Sequence, residues 1–389
     1  MHVFIIGSKG IPARYGGFES FVDRLTCYRK RDDINYHVAC MTDKRGRESV
    51  LYNKADCFFI RVPDIGPAKA VYYDLAALRY CLRYIQEKKI KDFKICVLAC
   101  RIGPFIRHYV KKIHLLGGKL YVNPDGHEWL RAKWNALIKK YWKISEKLMV
   151  KNADLLICDS QNIERYIQKE YHRYSPHTCY IAYGADLDDK NRYAEDTGRK
   201  EKLDLWLHKQ GLQAGGYYLV VGRFVPENNY ETMLREFMNS VTQKQLVLVT
   251  NAEKNKFYHK LEQRTHFHND ERIRFVGTVY DQELMKQIRE KAFAYLHGHE
   301  VGGTNPSLLE ALASTKLNLL LDVGFNREVA EESALYWSKE KGSLAKAIEV
   351  AEKMTPEEIE MKGSQARQRI KEAFEWDKIV DAYEQEFMR

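Results

Sequence analysis

The sequence predicts an α/β protein of two domains, each built on a parallel β-sheet covered by helices. Strand-like apolar segments alternate with amphipathic helical segments along the 389 residues, and this alternation is typical of parallel sheets. The polar stretch 186–202 separates two such series. With 45% hydrophobic and 30% charged residues, the chain has enough apolar side chains for two cores. We therefore predict two Rossmann-like domains that face a cleft.

Two periodicities define the expected elements. Short apolar runs predict strands, whereas apolar residues spaced three to four apart predict helices. In the first half we expect strands at 3–6, 36–41, 58–62, 95–99, 119–122, 155–159 and 179–183, and helices at 18–29, 71–87 and 129–150. In the second half we expect strands at 218–221, 245–249, 273–276, 292–297 and 317–321, and helices at 230–240, 281–291 and 306–314. The polar stretch places the boundary between domains 1–190 and 191–370.

The two halves differ in charge. Residues 1–150 contain 29 Lys and Arg against 14 Asp and Glu, whereas the remaining residues contain 34 against 39. A basic half predicts an anionic partner: nucleic acid, an anionic bilayer or a phosphorylated substrate. We find no helix-turn-helix, RNP or zinc-finger spacing that would favour nucleic acid.

Other features of the sequence indicate a cytoplasmic protein. The longest apolar runs, 95–100 and 317–321, fall short of the roughly 18 residues that a membrane span needs. The first residues lack the pattern of a secretory signal. The eight cysteines have no zinc-site spacing, so we interpret them as reduced, packed side chains.

Two glycine-rich loops follow predicted strands. The first, GSKGIPARYGGFE at 7–19, leads into the first helix, where glycines let backbone amides approach an anion. It lacks the GxGxxG spacing of a dinucleotide site. In the second, HGHEVGGTNPSLLE at 297–310, Asn305 is a good N-cap and Pro306 a good first helical residue. The amides of 302–304 then form an anion cradle, and Glu310 can accept hydrogen bonds from sugar hydroxyls.

Three further positions concern chemistry. Arg223 ends the first strand of the second domain, where a guanidinium suits a diphosphate. Asp125 and His127 share a strand-to-helix loop, and such a pair is typical of acid–base work on a hydroxyl. His297 and His299 have no third ligand nearby, so no metal site is predicted.

The helix predicted at 129–150 combines an apolar stripe with basic neighbours. The stripe consists of Leu130, Trp134, Leu137, Tyr141, Ile144 and Leu148. Basic residues beside tryptophans suit a membrane headgroup surface, and the alternative is a stripe that packs in the core. The residues that we assign to the acceptor and the membrane are Arg131, Lys133, Trp134 and Lys140.

Four segments together resemble one enzyme family. GSKGIPARYGGFE, VNPDGHEW, VGRFVPEN and HGHEVGGTNPSLLEAL are similar to bacterial rhamnosyltransferases of glycosyltransferase family 4, in particular the streptococcal β-1,4-rhamnosyltransferases. These are GT-B enzymes of capsule and cell-wall polysaccharide synthesis. The resemblance implies retaining transfer of L-rhamnose, without metal or cofactor, from dTDP-β-L-rhamnose to the 4-hydroxyl of glucose or N-acetylglucosamine on undecaprenyl pyrophosphate. It also implies a peripheral position on the inner membrane face and a final helix, 371–389, that returns to the first domain.

The resemblance assigns roles to single residues. Gly16 and Gly17 would face the donor phosphates, Arg223 the diphosphate, and Glu310 the ribose; Asp125 and His127 would lie near the transferred sugar or the acceptor. The chain departs from the family pattern twice, because the first Glu of the E-x7-E motif falls on Gly302 and the usual Lys falls on Asn228. The residues expected to take over are Glu300 (in a catalytic role), His299 and the backbone amides of Gly303 and Thr304. Asn228 and Asn305 are also assigned to donor binding.

Three alternative functions remain at this point. A different hexosyltransferase and a nucleotide-sugar epimerase could use the same fold, and a basic nucleic-acid-binding protein would account for the charge of the first half.

Overall fold

The computed structural model describes residues 1–13, 16–44, 46, 48–131, 134–187 and 197–389. These residues form two compact units, Met1–Tyr183 with Trp376–Arg389, and Gly184–Glu375. Each unit is an α/β body on a parallel sheet, as predicted. Positions 188–196, at the predicted domain boundary, lie outside the described residues.

Among the described residues, the first unit holds an eight-stranded sheet in the order β3-β4-β2-β1-β5-β6-β7-β8. The strands are β1 (His2–Ile6), β2 (Asn35–Thr42), β3 (Val50–Tyr52), β4 (Ala55–Arg61), β5 (Phe93–Leu98), β6 (Lys119–Asn123), β7 (Leu155–Cys158) and β8 (Thr178–Tyr180). Neighbouring strands are parallel except β3 and β4, which are antiparallel. The helices are α1 (Gly17–Cys27), α2 (Lys69–Glu87), α3 (Gly103–Leu115), α4 (Ala136–Asn152) and α5 (Gln161–Glu170).

In its described part, the second unit has a six-stranded parallel sheet in the order β11-β10-β9-β12-β13-β14. Its strands are β9 (Tyr217–Val221), β10 (Gln245–Val249), β11 (Ile273–Gly277), β12 (Ala294–His297), β13 (Asn318–Leu321) and β14 (Leu335–Trp337). Its helices are α6 (Thr197–Gln210), α7 (Tyr230–Met238), α8 (Lys256–Thr265), α9 (Gln282–Glu290), α10 (Pro306–Ser314), α11 (Gly324–Ala330), α12 (Ser343–Lys353) and α13 (Pro356–Ala373). No helix in the described ranges is long and apolar enough to cross a bilayer.

The helix α14 (Trp376–Met388) belongs to the first unit although it follows the second in sequence. Its Glu384 carboxylate accepts hydrogen bonds from the backbone amides of Lys30 and Arg31, both at 3.1 Å. Phe387 is fully buried, and its ring lies 6.2 Å from that of Tyr36. The helix therefore completes the core of a unit that starts at residue 1.

The helix predicted at 129–150 begins later than expected. Glu128–Leu130 form a single 3-10 turn, and α4 starts only at Ala136, where the side chain of Asn135 accepts a hydrogen bond from the Ile138 amide. The face of α4 that is buried carries Ser145 and Met149. The predicted apolar stripe is therefore not the buried face of this helix, and Leu137 within it is 80% exposed.

We expect Phe387→Ala to lower the free energy of unfolding of the first unit by about 3–5 kcal/mol, because it leaves a cavity in a closed core. Urea unfolding monitored by hydrogen exchange of β1 and β5 peptides measures this loss. Met388→Ala, whose side chain is 40% exposed, is the control and should change stability by about 0.5 kcal/mol or less. Equal effects of the two variants would show that α14 is not part of this core.

Candidate functional site

Each sheet has one place where the connections after adjacent parallel strands run in opposite directions. In the first sheet β1 lies between β2 and β5, and in the second β9 lies between β10 and β12. Loops that follow such adjacent parallel strands diverge and leave a crevice at the carboxyl edge, the usual ligand position in open α/β sheets. The predicted functional residues follow β1, β6, β9 and β12.

The glycine-rich loop after β1 is held by acidic side chains of α1. Gly7 has a positive φ, and a Cβ there would lie 2.3 Å from the Leu98 carbonyl oxygen, so only glycine fits. The amide of Lys9 donates to Glu19 Oε1 at 2.6 Å, and a second loop amide, that of Ala13, donates to Asp23 Oδ2 at 2.6 Å. Two of the loop amides that we predicted to be available to an anion are thus already hydrogen-bonded to carboxylates of the protein.

The start of α1 coincides with the predicted glycine pair. Gly16 has φ 129° and precedes the helix, and Gly17 is its first residue. Arg14 and Tyr15 lie outside the described residues.

An ion pair that the sequence did not indicate holds the first residue of this loop. Arg101, just after β5, donates through Nη1 to the Gly7 carbonyl at 2.8 Å and to Asp74 Oδ2 at 3.2 Å. Asp74 is fully buried, and burial raises its pKa to about 6 although the Arg101 charge opposes the shift. The position of Arg101 directly after a buried strand was the one signal that could have revealed it.

The loop after β6 carries Asp125 and His127 in unusual backbone conformations. Both have positive φ, 57° and 45°, which is costly for residues with a side chain. Burial raises the pKa of Asp125 against the nearby charge of Arg131, and burial lowers the pKa of His127. The loop borders a small pocket lined by Ala99, Cys100, Pro124, Asp125, Glu128, Trp129, Trp142 and Glu146. Asp125 lines this pocket, whereas His127, in the same loop, does not.

Two of the four residues assigned to the acceptor and the membrane bind the same buried carboxylate. Arg131 is 6% exposed and pairs with Glu128, whose other oxygen accepts from Trp134 Nε1 at 3.0 Å. Because Glu128 is itself largely buried, its ion pair turns Arg131 away from the surface, which does not fit an assignment of Arg131 to a membrane surface. Trp134 is half-buried, and its assignment to the acceptor or the membrane stays a prediction. Lys140 is exposed on α4, and Lys133 lies outside the described residues.

In the second unit, Arg223, Asn228 and His299 lie on neighbouring loops. Asn228 Nδ2 donates to the Arg223 carbonyl at 2.8 Å, which turns its Oδ1 toward His299 Nδ1 at 2.7 Å. An amide oxygen can only accept, so His299 Nδ1 is the donor. The Arg223 side chain is exposed.

Glu300 belongs to the same edge and has two partners that the sequence did not indicate. Lys339, after β14, donates to Glu300 Oε2 at 2.8 Å, and Asn229 donates to the same oxygen at 2.7 Å. A carboxylate with two donors is poorly suited to act as a free base.

The loop before α10 forms as predicted. Asn305 Oδ1 accepts from the amides of Ser307 and Leu308 at 2.9 and 3.3 Å, and Pro306 is the first helical residue. Gly303 and Thr304 are buried just before this cap. Glu310, one turn further, accepts from Arg289 Nη2 at 2.5 Å and remains 38% exposed.

His297, at the end of β12, is a buried neutral side chain. Burial lowers its pKa to about 3, and its Nδ1 lies 3.3 Å from the Tyr295 hydroxyl. In the described ranges no cluster of three His, Cys, Asp or Glu side chains could hold a metal ion.

Two family models match the chain. The domain of unknown function DUF1972 covers residues 1–186, and the model "Glycosyl transferases group 1" covers residues 208–373. No curated protein sequence matches.

Solved structures with the same fold cover the whole chain. Sucrose-phosphate synthase from Thermosynechococcus elongatus is 17% identical with a TM-score of 0.78, over 100% of this chain and 98% of that one. HepE from Anabaena in complex with UDP-glucose is 14% identical with a TM-score of 0.70, over 100% and 99%. Trehalose-6-phosphate synthase OtsA is 11% identical with a TM-score of 0.75, over 100% and 99%. These likenesses confirm the GT-B fold.

Burial of neutral His297 should make the second unit acid-sensitive. The pKa of His297 in the folded protein, about 3, lies below the usual 6.5. Below pH 6.5 only the unfolded chain takes up the proton, so the stability that neutral His297 allows above pH 6.5 is lost as the pH falls. When the pH is lowered from about 7.5 to about 4.5, we expect the native protein to lose about 2–3 kcal/mol more unfolding free energy than His297→Gln loses.

Urea unfolding of the second unit at the two pH values measures this difference. His208→Gln, which removes an exposed imidazole from the same unit, is the control. Parallel pH slopes for His297→Gln and the native sequence would contradict the prediction.

Proposed function

Since the chain is a glycosyltransferase with the GT-B fold, we propose that it is a retaining rhamnosyltransferase. The proposed donor is dTDP-β-L-rhamnose, and the acceptor is the 4-hydroxyl of glucose or N-acetylglucosamine on a lipid pyrophosphate in cell-surface polysaccharide synthesis. The observation that supports a nucleotide-sugar site is the arrangement after β9 and β12. There an exposed arginine and a capped helix N-terminus follow neighbouring strands of one sheet.

The second unit would hold the donor. Exposed Arg223 offers a guanidinium to the diphosphate, and the amides that precede α10 add the positive end of a helix. Together they can stabilise the charge that develops on the dTDP leaving group without a metal ion. Glu310 would accept a hydrogen bond from the 3′-hydroxyl of the dTDP deoxyribose while Arg289 fixes its carboxylate. Both partners of Glu300 bind Oε2, so we assign Oε1 to a hydroxyl of the transferred sugar.

The first unit would hold the acceptor through Asp125 and His127. In the proposed reaction the bond between the anomeric carbon and the diphosphate oxygen breaks, and the acceptor oxygen forms the new bond on the same face. The acceptor proton passes to the leaving phosphate oxygen. Asp125 and His127 orient the hydroxyl in this step, and their strained backbone is typical of residues held for a reaction.

A second candidate is a glucosyltransferase that uses UDP-glucose. One structural neighbour, HepE, was solved in complex with UDP-glucose. The two candidates differ only in the nucleotide and sugar that the second unit accepts, so a donor panel separates them.

We expect transfer with dTDP-β-L-rhamnose and little or none with UDP- and GDP-sugars. Glu310→Gln should weaken dTDP binding about tenfold or more, because an amide oxygen is a weaker acceptor than a carboxylate for the 3′-hydroxyl of the deoxyribose. Asp125→Asn should lower kcat about 100-fold and leave dTDP binding unchanged. Calorimetric titration with dTDP and a transfer assay measure the two effects.

Glu360→Gln is the matched control for the donor test, because Glu360 pairs with Lys316 on a surface of the same unit. A preference for UDP-glucose would replace the first candidate by the second. Full dTDP affinity in Glu310→Gln would refute the proposed donor contact.

The proposed lipid acceptor requires contact with a membrane, and α4 in the first unit has a surface suited to such contact. On α4, Leu137 is 80% and Ile144 44% exposed, with exposed Lys140 between them. Exposed apolar side chains with basic neighbours are typical of helices that lie in the headgroup region of anionic bilayers.

We expect the protein to bind vesicles that contain anionic lipid, with an affinity that falls as salt is raised. The double variant Leu137→Glu/Lys140→Glu should lower vesicle binding about tenfold or more, and Leu205→Glu, at a 71% exposed site of the second unit, should not. Vesicle co-sedimentation measures binding. Equal binding by both variants, or DNA binding at the same salt concentration, would count against the membrane assignment.

A further inference from the structure

We propose that Glu146 is a positioning residue that holds His127 in place for transfer by way of Tyr166. The inference rests on the proposed function, which assigns His127 to the acceptor. Glu146 lies on α4 and is 5% exposed. Neither the family resemblance nor the two family models give it a role, yet it is the centre of a hydrogen-bonded network beside the loop after β6.

The network has a defined direction. The hydroxyls of Tyr166 and Tyr171 both lie within hydrogen-bond distance of Glu146 Oε1, at 2.6 and 2.5 Å. Lys143 Nζ donates to the Tyr166 hydroxyl at 2.5 Å. An ammonium has no lone pair, so Tyr166 must accept from Lys143 and donate its own proton to Glu146. Glu146 therefore fixes Tyr166 through a charge-assisted hydrogen bond.

The loop after β6 rests on the tyrosine that Glu146 fixes. The His127 ring packs on the Tyr166 ring, with centroids 4.2 Å apart and planes 53° apart. Trp129, two residues on, lies under the Lys143 ammonium at 4.6 Å. Because His127 has a left-handed backbone, the surrounding contacts must hold it there. Tyr166 and Lys143 supply these contacts from α5 and α4.

Charges around His127 act in opposite directions. Burial lowers the pKa of the imidazole, the Glu146 carboxylate raises it, and the Lys143 ammonium lowers it. The other titratable or charged groups of this neighbourhood are Tyr166, Glu170, Tyr171, Asp125, Glu128 and Arg131. Removing the Glu146 charge should thus lower the pKa of His127 further and should also loosen the ring that supports it.

The test uses Glu146→Gln in the full chain. We expect kcat to fall about tenfold or more, the donor KM to change less than about twofold, and the acidic limb of the pH profile to move to lower pH by about one unit or less. NMR titration of His127 in the absence of substrate should show the same shift of its pKa. Glu164→Gln, on α5 with Thr178 as its partner, is the matched control and should leave all three quantities unchanged.

A double variant separates positioning from a structural effect. If Glu146 acts through His127, Glu146→Gln should cause no further loss of kcat in a His127→Gln background. Multiplying losses, or an unchanged pKa of His127 in folded Glu146→Gln, would overturn the inference. Should Glu146→Gln fail to fold, Tyr166→Phe keeps the ring and cuts its link to Glu146, and an unchanged kcat and pH profile would likewise overturn it. Failure of the native protein with every donor would instead overturn the proposed function.

Discussion

Parallel hydrogen bonding around one central strand is the constraint on which both units depend. β1 and β9 each have a neighbour on either side that points the same way, so the loops that follow them emerge at one edge and separate. The close approach of Gly7 to Leu98 shows how little space the strand ends leave. Polar side chains gather at these edges because elsewhere both faces of the sheets are covered by helices.

The edges are organised mostly by the protein's own charges. Glu19 and Asp23 bind loop amides, Glu128 binds Arg131 and Trp134, and Lys339 binds Glu300. Such pairs fix loops before any ligand arrives, which lowers the reorganisation that binding requires. Arg223 differs from them, because its exposed guanidinium has no ion-pair partner within the described residues. The guanidinium of Arg223 would therefore be available to an anionic ligand.

Local signals predicted most of the fold and part of the site. Most strands follow from short apolar runs, but the sequence did not indicate β3 and β14, which have three residues each. The cap at Asn305 follows from its side chain and the proline after it. The helix expected at 129–150 starts later than predicted because Arg131 and Trp134, which continue the period of α4, bind Glu128 instead. Partners such as Lys339 for Glu300, or Tyr166 for Glu146, are far apart in sequence or on separate helices. No periodicity reports which of many lysines or tyrosines the fold brings to a given carboxylate.

The placement of α14 has a consequence for the order in which the chain folds as it is made. The segment Gly184–Glu375 is contiguous and can close its core while synthesis continues. The first unit has most of its residues earlier, but its aromatic core stays open until Phe387 has left the ribosome. During that interval the surface that α14 will cover is exposed and is accessible to a chaperone. A premature stop before α14 would leave this surface of the first unit uncovered, although most of that unit was synthesised first.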